Sequence, residues 1–318
     1  MDVAHDMISL NQMFNFLKKK IIVVTHDGSF HADEVFASAT LSLWAEKNNK
    51  KLKIIRTRDP LILEKTDIVV DVGMVYDFKN NKFDHHQKEG AGEHNNGIPY
   101  ASFGLIWQKY GEEVCGSLEV MKIIEEKLVI PVDARDNGVN ITLSNQFGVF
   151  EHNTTKMICN FNPTWQEDNK KIDEKFKKAL KFAKEIIKRE MAWARALIEG
   201  EKGVSEEIEK QNNPEILILD REIEWKEAVS KNKNIKFVIY YKKYDLEWCI
   251  QSARDNLKEY GTDRALFPES WRGLRDEELR EVSGIKEAVF CHRAGFFAVL
   301  KSKEGALSMA KKALQDYD

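Results

Sequence analysis

The sequence predicts an α/β protein in which a parallel sheet flanked by helices is joined, through one long helix, to a smaller α/β C-terminal domain. Three observations carry that expectation. In the first half, short apolar, β-branched runs alternate with amphipathic stretches, as strands covered on both faces by helices require. A long Lys/Glu-rich amphipathic segment then begins near residue 168. After it, strand-like and helix-like segments resume on a smaller scale.

Taken in order, Ile21–Thr25 (IIVVT) reads as a buried strand, and Asp33–Glu46 as a helix with Val35, Phe36, Ala39, Leu43 and Trp44 near helical spacing. Leu52–Arg56 is a second strand that ends before Asp59-Pro60, and Asp67–Val72 (DIVVDV) is a third. Tyr76–Asp84 alternates around Asn80-Asn81 like a short hairpin. Helices are expected near 102–110, 118–129 and 145–157. The long helix is expected from 168 to 198, stopped by Gly200 and Gly203. Strands at 216–219, 236–241, 246–251, 288–291 and 296–300, with helices at 276–282 and 304–314, complete the second domain. The expected boundary places residues 1–160 in the first domain and 161–318 in the second.

Bulk properties exclude several function classes. The net charge of −3 argues against attachment to nucleic acid through a globally basic surface. It leaves room for an enzyme acting on short nucleic acid, because bound metal supplies positive charge that composition does not count. The four cysteines stand far apart with no CxxC pair, which disfavours a cysteine zinc site and favours reduced thiols. No apolar run reaches the roughly 20 residues of a membrane span. The leader MDVAHDMISLNQMF has two acids and no Arg, unlike a secretory signal or presequence, so a cytoplasmic or nuclear location is expected, with a mitochondrial one still open.

Five segments carry chemistry. His26-Asp27-Gly28-Ser29-Phe30-His31-Ala32-Asp33-Glu34 packs two imidazoles and several carboxylates into the loop leaving the first strand. Ligands of open α/β sheets bind at such carboxyl ends. Asp71 stands at the end of the third strand, ahead of Gly73, where one carboxylate can serve two ions. Asp84-His85-His86 offers one ligand and one substrate-facing donor, because adjacent extended residues point opposite ways. Asp133-Ala134-Arg135-Asp136-Asn137-Gly138 sets two acids about Arg135, and Trp271-Arg272-Gly273-Leu274-Arg275, His292-Arg293 and Lys301 lie in the second domain. Singly, each is commoner as a helix cap, a core ring or a surface charge. Their joint occurrence, in the order such a sheet brings together, is what points to a metal centre.

The order His26/Asp33, Asp71, Asp84-His85-His86, Asp133 resembles the four-motif signature of DHH phosphoesterases. More specifically, THDGSFHADE (25–34), RTRDP (56–60), DIVVDVG (67–73), FDHHQ (83–87), VDARDNG (132–138), NPTW (162–165), WRGLRDEEL (271–279), VSGI (282–285) and EGALSMA (304–310) resemble the melanocyte-proliferating-gene-one exonucleases, a eukaryotic branch of that superfamily. The resemblance covers residues 21 to 315 and implies a DHH-type fold and a metal-dependent 3′–5′ exoribonuclease working through two-metal-activated water. The implied ligands are His26, His31 and Asp71 for one ion and Asp33, Asp71, His85 and Asp133 for its neighbour. Spacing does not separate Asp133 from Asp136; Asp133 is the assignment taken. Mixed imidazole and carboxylate ligation suits Mn²⁺, with Zn²⁺ or Co²⁺ also compatible and Mg²⁺ less so.

In this reading His86 donates to a phosphoryl oxygen and Asp84 orients His85 or helps move a proton. Arg272, Arg275, His292 and Lys301 grip a single-stranded RNA or short oligonucleotide, and Trp271 stacks on a base. One segment departs from the pattern: where DHH exonucleases carry a Gly-Gly-His-like run, this chain has Gly295-Phe296-Phe297-Ala298-Val299-Leu300-Lys301. That departure, with the mild acidity, keeps small phosphoesters or pyrophosphate as an alternative substrate class. A metal-bound binding protein without turnover is the third reading.

Overall fold

The computed structural model describes residues 20–142, 151–257 and 259–315. The N-terminal leader therefore lies outside the described residues, as does the start of the helix expected over 145–157. The chain divides into two compact units, Met1–Ala194 and Arg195–Asp318.

The first unit is built on the sheet β2-β1-β3-β5-β4. Its strands are β1 (Lys20–Thr25), β2 (Lys51–Arg56), β3 (Ile68–Val70), β4 (Tyr76–Asp77) and β5 (Lys82–Phe83). β1 pairs in parallel with β2 and β3, and β3 in parallel with β5; only the β4–β5 hairpin is antiparallel. Between β1 and β2 runs helix α1 (Ala32–Lys47), buried continuously from Ala32 to Leu41. Its small residues allow close packing against helix α3 (Ser102–Cys115), which follows a single-turn helix α2 (Pro60–Leu63) in chain order. Phe36 of α1 stacks on Phe103 of α3 with ring centres 5.1 Å apart.

Helix α4 (Leu118–Ile124), a π-helical turn (Glu125–Val129) and helix α5 (Ile130–Asp136) run on without a break. The sequence expectation stopped this helix at 129, yet Pro131 is carried inside it. In the wide turn the Ile130 N–H donates to the Glu125 carbonyl, five residues back. That register shift absorbs the missing proline N–H, and it carries the helix on to Asp133 and Asp136.

After α6 (Thr154–Cys159), helix α7 spans Ile172–Lys210, longer than expected. Gly200 and Gly203 lie within it instead of ending it. A Cβ at Gly200 would come within 2.7 Å of the Glu224 carbonyl oxygen, so the glycine serves a close backbone approach. The units divide at Ala194/Arg195, inside α7. The start of α7 is built into the first unit, where Phe176 packs edge-on against Phe30 at 5.5 Å.

The second unit contains β6 (Ile216–Leu219), α8 (Lys226–Ser230), β7 (Phe237–Lys242), β8 (Glu247–Ser252), α9 (Asp276–Ser283), β9 (Ala288–Cys291), β10 (Phe297–Leu300) and α10 (Lys303–Gln315). Its sheet has the order β6-β7-β8-β10-β9, with β6–β7 parallel and the other pairs antiparallel. Apolar cores cover both faces. Ala298 and Leu300 point into one and Val299 into the other, the two-residue period of a strand buried on both sides. The Ala-Val-Leu departure is therefore a core strand, where glycines would leave voids. Trp271 belongs to the same core: it is 3% exposed, with its ring 6.3 Å from that of Phe267. Its ring is not presented to a nucleobase, which corrects the expectation that it stacks on one. Cys249 and Cys291 are buried, and burial pushes both thiols up to about 12. Among the described residues, no helix is long and apolar enough to cross a membrane.

Candidate metal centre

The carboxyl ends of β1 and β3 deliver His26 and Asp71 side by side. The loop after β1 turns at Gly28, whose φ of +82° favours glycine, and enters α1 with Asp33 and Glu34 in its first turn. The His31 N–H donates to both Glu34 carboxylate oxygens, at 2.9 and 3.0 Å, which fixes the helix start. Two arginines from the end of β2 hold the loop: Arg56 donates to the Gly28 carbonyl, and Arg58 Nη1 donates to Asp27 O and Oδ1, each at 2.8 Å.

His26 Nδ1 donates to the Asp27 carbonyl at 2.9 Å, which leaves Nε2 as the ligand-competent nitrogen of the neutral ring. That Nε2 lies 3.1 Å from Glu34 Oε1 and 3.3 Å from Asp71 Oδ2. The other oxygen of Asp71, Oδ1, lies 3.3 Å from His85 Nε2 and accepts from Ser102 Oγ at 3.0 Å. Asp71 thus stands between the two imidazoles. Its backbone is left-handed (φ +56°), an uncommon state for a residue with a side chain and one often found at functional sites. His85 Nε2 also lies 3.2 Å from Asp136 Oδ2 and 3.9 Å from Asp33 Oδ2.

Three overlapping groups have ligand atoms within 4.8 Å of one another: His26, His31, Glu34 and Asp71; Asp71, His85 and His86; and His31, Asp33 and Asp136. Asp71 and His31 each join two groups. Asp33 is fully buried, and neither of its carboxylate oxygens has a hydrogen-bond partner; His85 Nε2 also lacks one. A bare buried carboxylate is costly unless a cation satisfies it. Burial, then the charges of Asp71, Asp136 and Glu34, push Asp33 well above the usual carboxylate range. Burial alone would push the His26 ring down, but Asp71 and Glu34 hold it up at about 10. Asp136 and Asp71 do the same for His85, also to about 10. Burial would raise Asp71, and the neighbouring His26 and His85 imidazoles override it, holding Asp71 well below its ordinary value. The cluster demands positive charge, and its imidazole–carboxylate donors suit a divalent transition ion.

The structure brings His26, His31, Asp33, Asp71 and His85 together as the motifs suggested. The fourth motif differs from the assignment taken. Asp133 is buried away from the cluster: its Oδ2 accepts from His94 Nε2 at 2.8 Å and its Oδ1 from the Gly104 N–H at 3.1 Å. A Cβ on Gly104 would come within 1.9 Å of Asp133 Oδ2, so the absent side chain is what admits the carboxylate. Burial pushes Asp133 up to about 6 against the opposing pull of His94. Asp136, one helical turn on, is the acid facing His85. Asp84 also differs: it pairs with His86, not His85, accepting from His86 Nδ1 at 2.8 Å and from the Met74 N–H at 2.6 Å. His86 is half-exposed, with Nδ1 3.5 Å from Asp71 Oδ1.

A cavity of about 630 Å³ opens beside the cluster. His26, His31, His86 and Asp71 form its polar wall, Leu63, Val72 and Met74 its apolar wall, and Arg58 stands at its rim. In the second unit, Arg272, Arg275 and His292 gather where the segment before α9 meets β9, with the Gly273 N–H donating to the Cys291 carbonyl at 3.0 Å. Arg272 Nε donates to the Phe267 carbonyl, and Gly295 backs onto that guanidinium. Lys301 leaves the opposite end of β10 and does not join them. Sequence reasoning missed Glu34, Ser102, His94 and Arg58. Only Glu34 and Arg58 carried a signal, the first as a third acid in the motif-one loop and the second within RTRDP.

Residues 22–314 match a family model named MYG1_exonuc and described as an uncharacterised protein family, UPF0160. A MYG1 protein of Dictyostelium discoideum is 32% identical over 92% of this chain and 96% of its own length. The Homo sapiens MYG1 exonuclease is 33% identical over 91% of this chain and 85% of its own. Among solved structures, RecJ of Thermus thermophilus in complex with Mn²⁺ aligns at 12% identity and a TM-score of 0.29, over 98% of this chain and 54% of that one. With the family model spanning nearly its whole length, the chain belongs to the MYG1 exonuclease family.

Proposed function

We propose that this protein is a metal-dependent phosphodiesterase that removes nucleotides from the 3′ end of single-stranded RNA. Family membership supports the broader class, a metal-dependent nuclease or phosphoesterase. The observation that carries the site is Asp33, whose two bare, fully buried oxygens sit among Asp71, Asp136 and two imidazoles. His26, His31, Glu34 and Asp71 would hold one divalent ion, and Asp33, Asp71, His85 and Asp136 its neighbour, with Mn²⁺ the best match. Such ions polarise phosphoryl oxygens and lower the pKa of water.

The chain's own residues do the rest. Ser102 and the two imidazoles fix Asp71 so that each of its oxygens faces one ligand group. Asp84 orients His86 toward the cavity, where the ring donates to a phosphoryl oxygen as negative charge grows on it. Arg58, held by Asp27, is placed to take a second phosphate oxygen, and Leu63, Val72 and Met74 offer an apolar face to the terminal nucleoside. The cavity volume falls in the ordinary range for small-ligand sites and suits a chain end better than a duplex.

That same volume favours, as a second reading, dinucleotides or other small phosphoesters. The test uses 3′-labelled single-stranded RNA, a dinucleotide and pyrophosphate, each with Mn²⁺ and with EDTA. Stepwise, Mn²⁺-dependent release from the labelled end is expected. Turnover confined to the small substrates would replace the polymer assignment, and no turnover at all would remove the catalytic one.

A further inference from the structure

In the second unit, six side chains form an unbroken row of rings and cations: Tyr260, Arg254, Phe296, His292, Phe290 and Arg275. The Arg254 guanidinium lies 5.3 Å from the Tyr260 ring centre and 5.9 Å from that of Phe296. The rings of Phe296 and His292 are 4.6 Å apart, those of His292 and Phe290 6.2 Å, and Arg275 lies 5.5 Å over Phe290. All these spacings are within reach of stacking or cation–π attraction.

The row is anchored but open. Tyr260 is 92% exposed, Arg275 is exposed, and the four between them are half-buried. Each middle ring is therefore held at its base while part of it faces solvent. The backbone beneath is fixed: the Ser252 N–H donates to the Phe296 carbonyl and the His292 N–H to the Phe297 carbonyl, each at 2.8 Å. The Ala294 N–H donates to His292 Nδ1 at 3.1 Å, which sets the imidazole plane. Asp263 accepts from Arg254 Nε at 3.2 Å and keeps the guanidinium between its two rings. Phe290 also packs against one of the unit's cores, but Phe296 belongs to neither, and the other core has its own aromatics in Phe237, Phe267 and Trp271.

We propose that this row is a stacking platform for successive bases of a single-stranded nucleic acid, with Arg254 and Arg275 taking the intervening phosphates. The proposal deepens the nuclease reading and rests on it for the choice of ligand. An acidic peptide would satisfy the two guanidinium groups but has no flat rings for four aromatic faces. Bases do, and stacking accepts any of them, as an exonuclease needs. The platform takes the role that the buried Trp271 does not fill.

The experiment measures binding of a short fluorescein-labelled oligouridylate to the full chain by anisotropy in EDTA, where cleavage is suppressed. Tyr260→Ala and Phe296→Leu should each raise the dissociation constant about tenfold, and Phe296→Tyr should restore it. Inorganic polyphosphate, which has phosphates and no bases, should bind weakly and equally to the parent and to Tyr260→Ala. Unchanged oligouridylate binding in both variants would overturn the platform. So would a parallel loss of polyphosphate binding, which would reduce the row to charge alone, or displacement of the oligonucleotide by an equal concentration of a glutamate-rich peptide. Hydrolysis of bis(4-nitrophenyl) phosphate by the parent protein with Mn²⁺ reads the nuclease proposal separately. Its failure beside intact binding in EDTA would sink that proposal and leave the platform standing.

Discussion

Asp133 and Asp136 are one helical turn apart on α5 and have opposite surroundings. Asp136 faces His85, whereas Asp133 is locked between His94 and the Gly104 N–H. Asp136→Asn should weaken Mn²⁺ binding at least about a hundredfold, as for loss of a ligand, with little change in melting temperature. Asp133→Ala strands His94 in a buried site, and breaking such a pair destabilises by about 3–5 kcal/mol. Calorimetric titration beside thermal unfolding separates the two; the opposite pattern would return the ligand role to Asp133. His94 adds a pH signature. Burial alone would lower it, yet Asp133 and Glu125 hold it up at about 9, above its unfolded value of about 6.5. Its stabilising contribution is therefore complete below about pH 6.5 and lost as pH rises through 9. The stability difference between the parent and His94→Gln should shrink across that window. A constant difference would mean that the ring is held by packing and not by charge.

Much of the candidate site was legible at this scale because its clustered side chains come from dense, short-range motifs. His26, His31, Asp33, Asp71 and His85 announce themselves by residue type and spacing. Whether Asp133 or Asp136 faces the cluster depends on a rotation about the helix axis that spacing does not encode, and it is decided by a glycine on another helix. The exchange of Asp84 from His85 to His86 has a similar cause, a carboxylate drawn to the Met74 N–H.

Among elements, the π turn and the Gly200 contact show how local rules were overridden. Pro131 signals a break, but widening one turn lets the helix continue to Asp136. Gly200 signals a stop, but it marks a crossing close to Glu224. The second is a tertiary contact, which no local window contains. Gly200→Ala should therefore destabilise by about 1–3 kcal/mol through overpacking, although alanine is the better helix former. A gain in chemical-denaturation midpoint would refute the crossing argument. In the first unit, Phe36→Ala removes a buried ring from the α1–α3 seam and should cost about 3–5 kcal/mol.

For the molecule as a whole, the α/β class, the mainly parallel first sheet and the separate second sheet followed from hydrophobic periodicity. The unit boundary did not, because the helix that carries it looks alike on both sides of Ala194. Each unit has its own apolar cores, and among the described residues the candidate ligand groups all belong to the first. Saturating Mn²⁺ at about 100 times its dissociation constant should add about 2.7 kcal/mol to the folded state it binds. Hydrogen exchange should show that protection over β1, β3, the 71–86 segment and α5, with the second sheet unaffected. Protection spread evenly over the chain would mean that the ion is not held where the clusters lie.

The left-handed backbone at Asp71 also bears on how this protein can lose its activity by mutation. Among the residues one base change away from an aspartate codon, Asn and Gly adopt that backbone most readily. Either would remove the central carboxylate while sparing the chain path, whereas Val or Tyr would disturb both. Lineages that discard the chemistry and keep the fold should therefore carry Asn or Gly at position 71, and a survey of natural variants could identify such inactive descendants from that one codon.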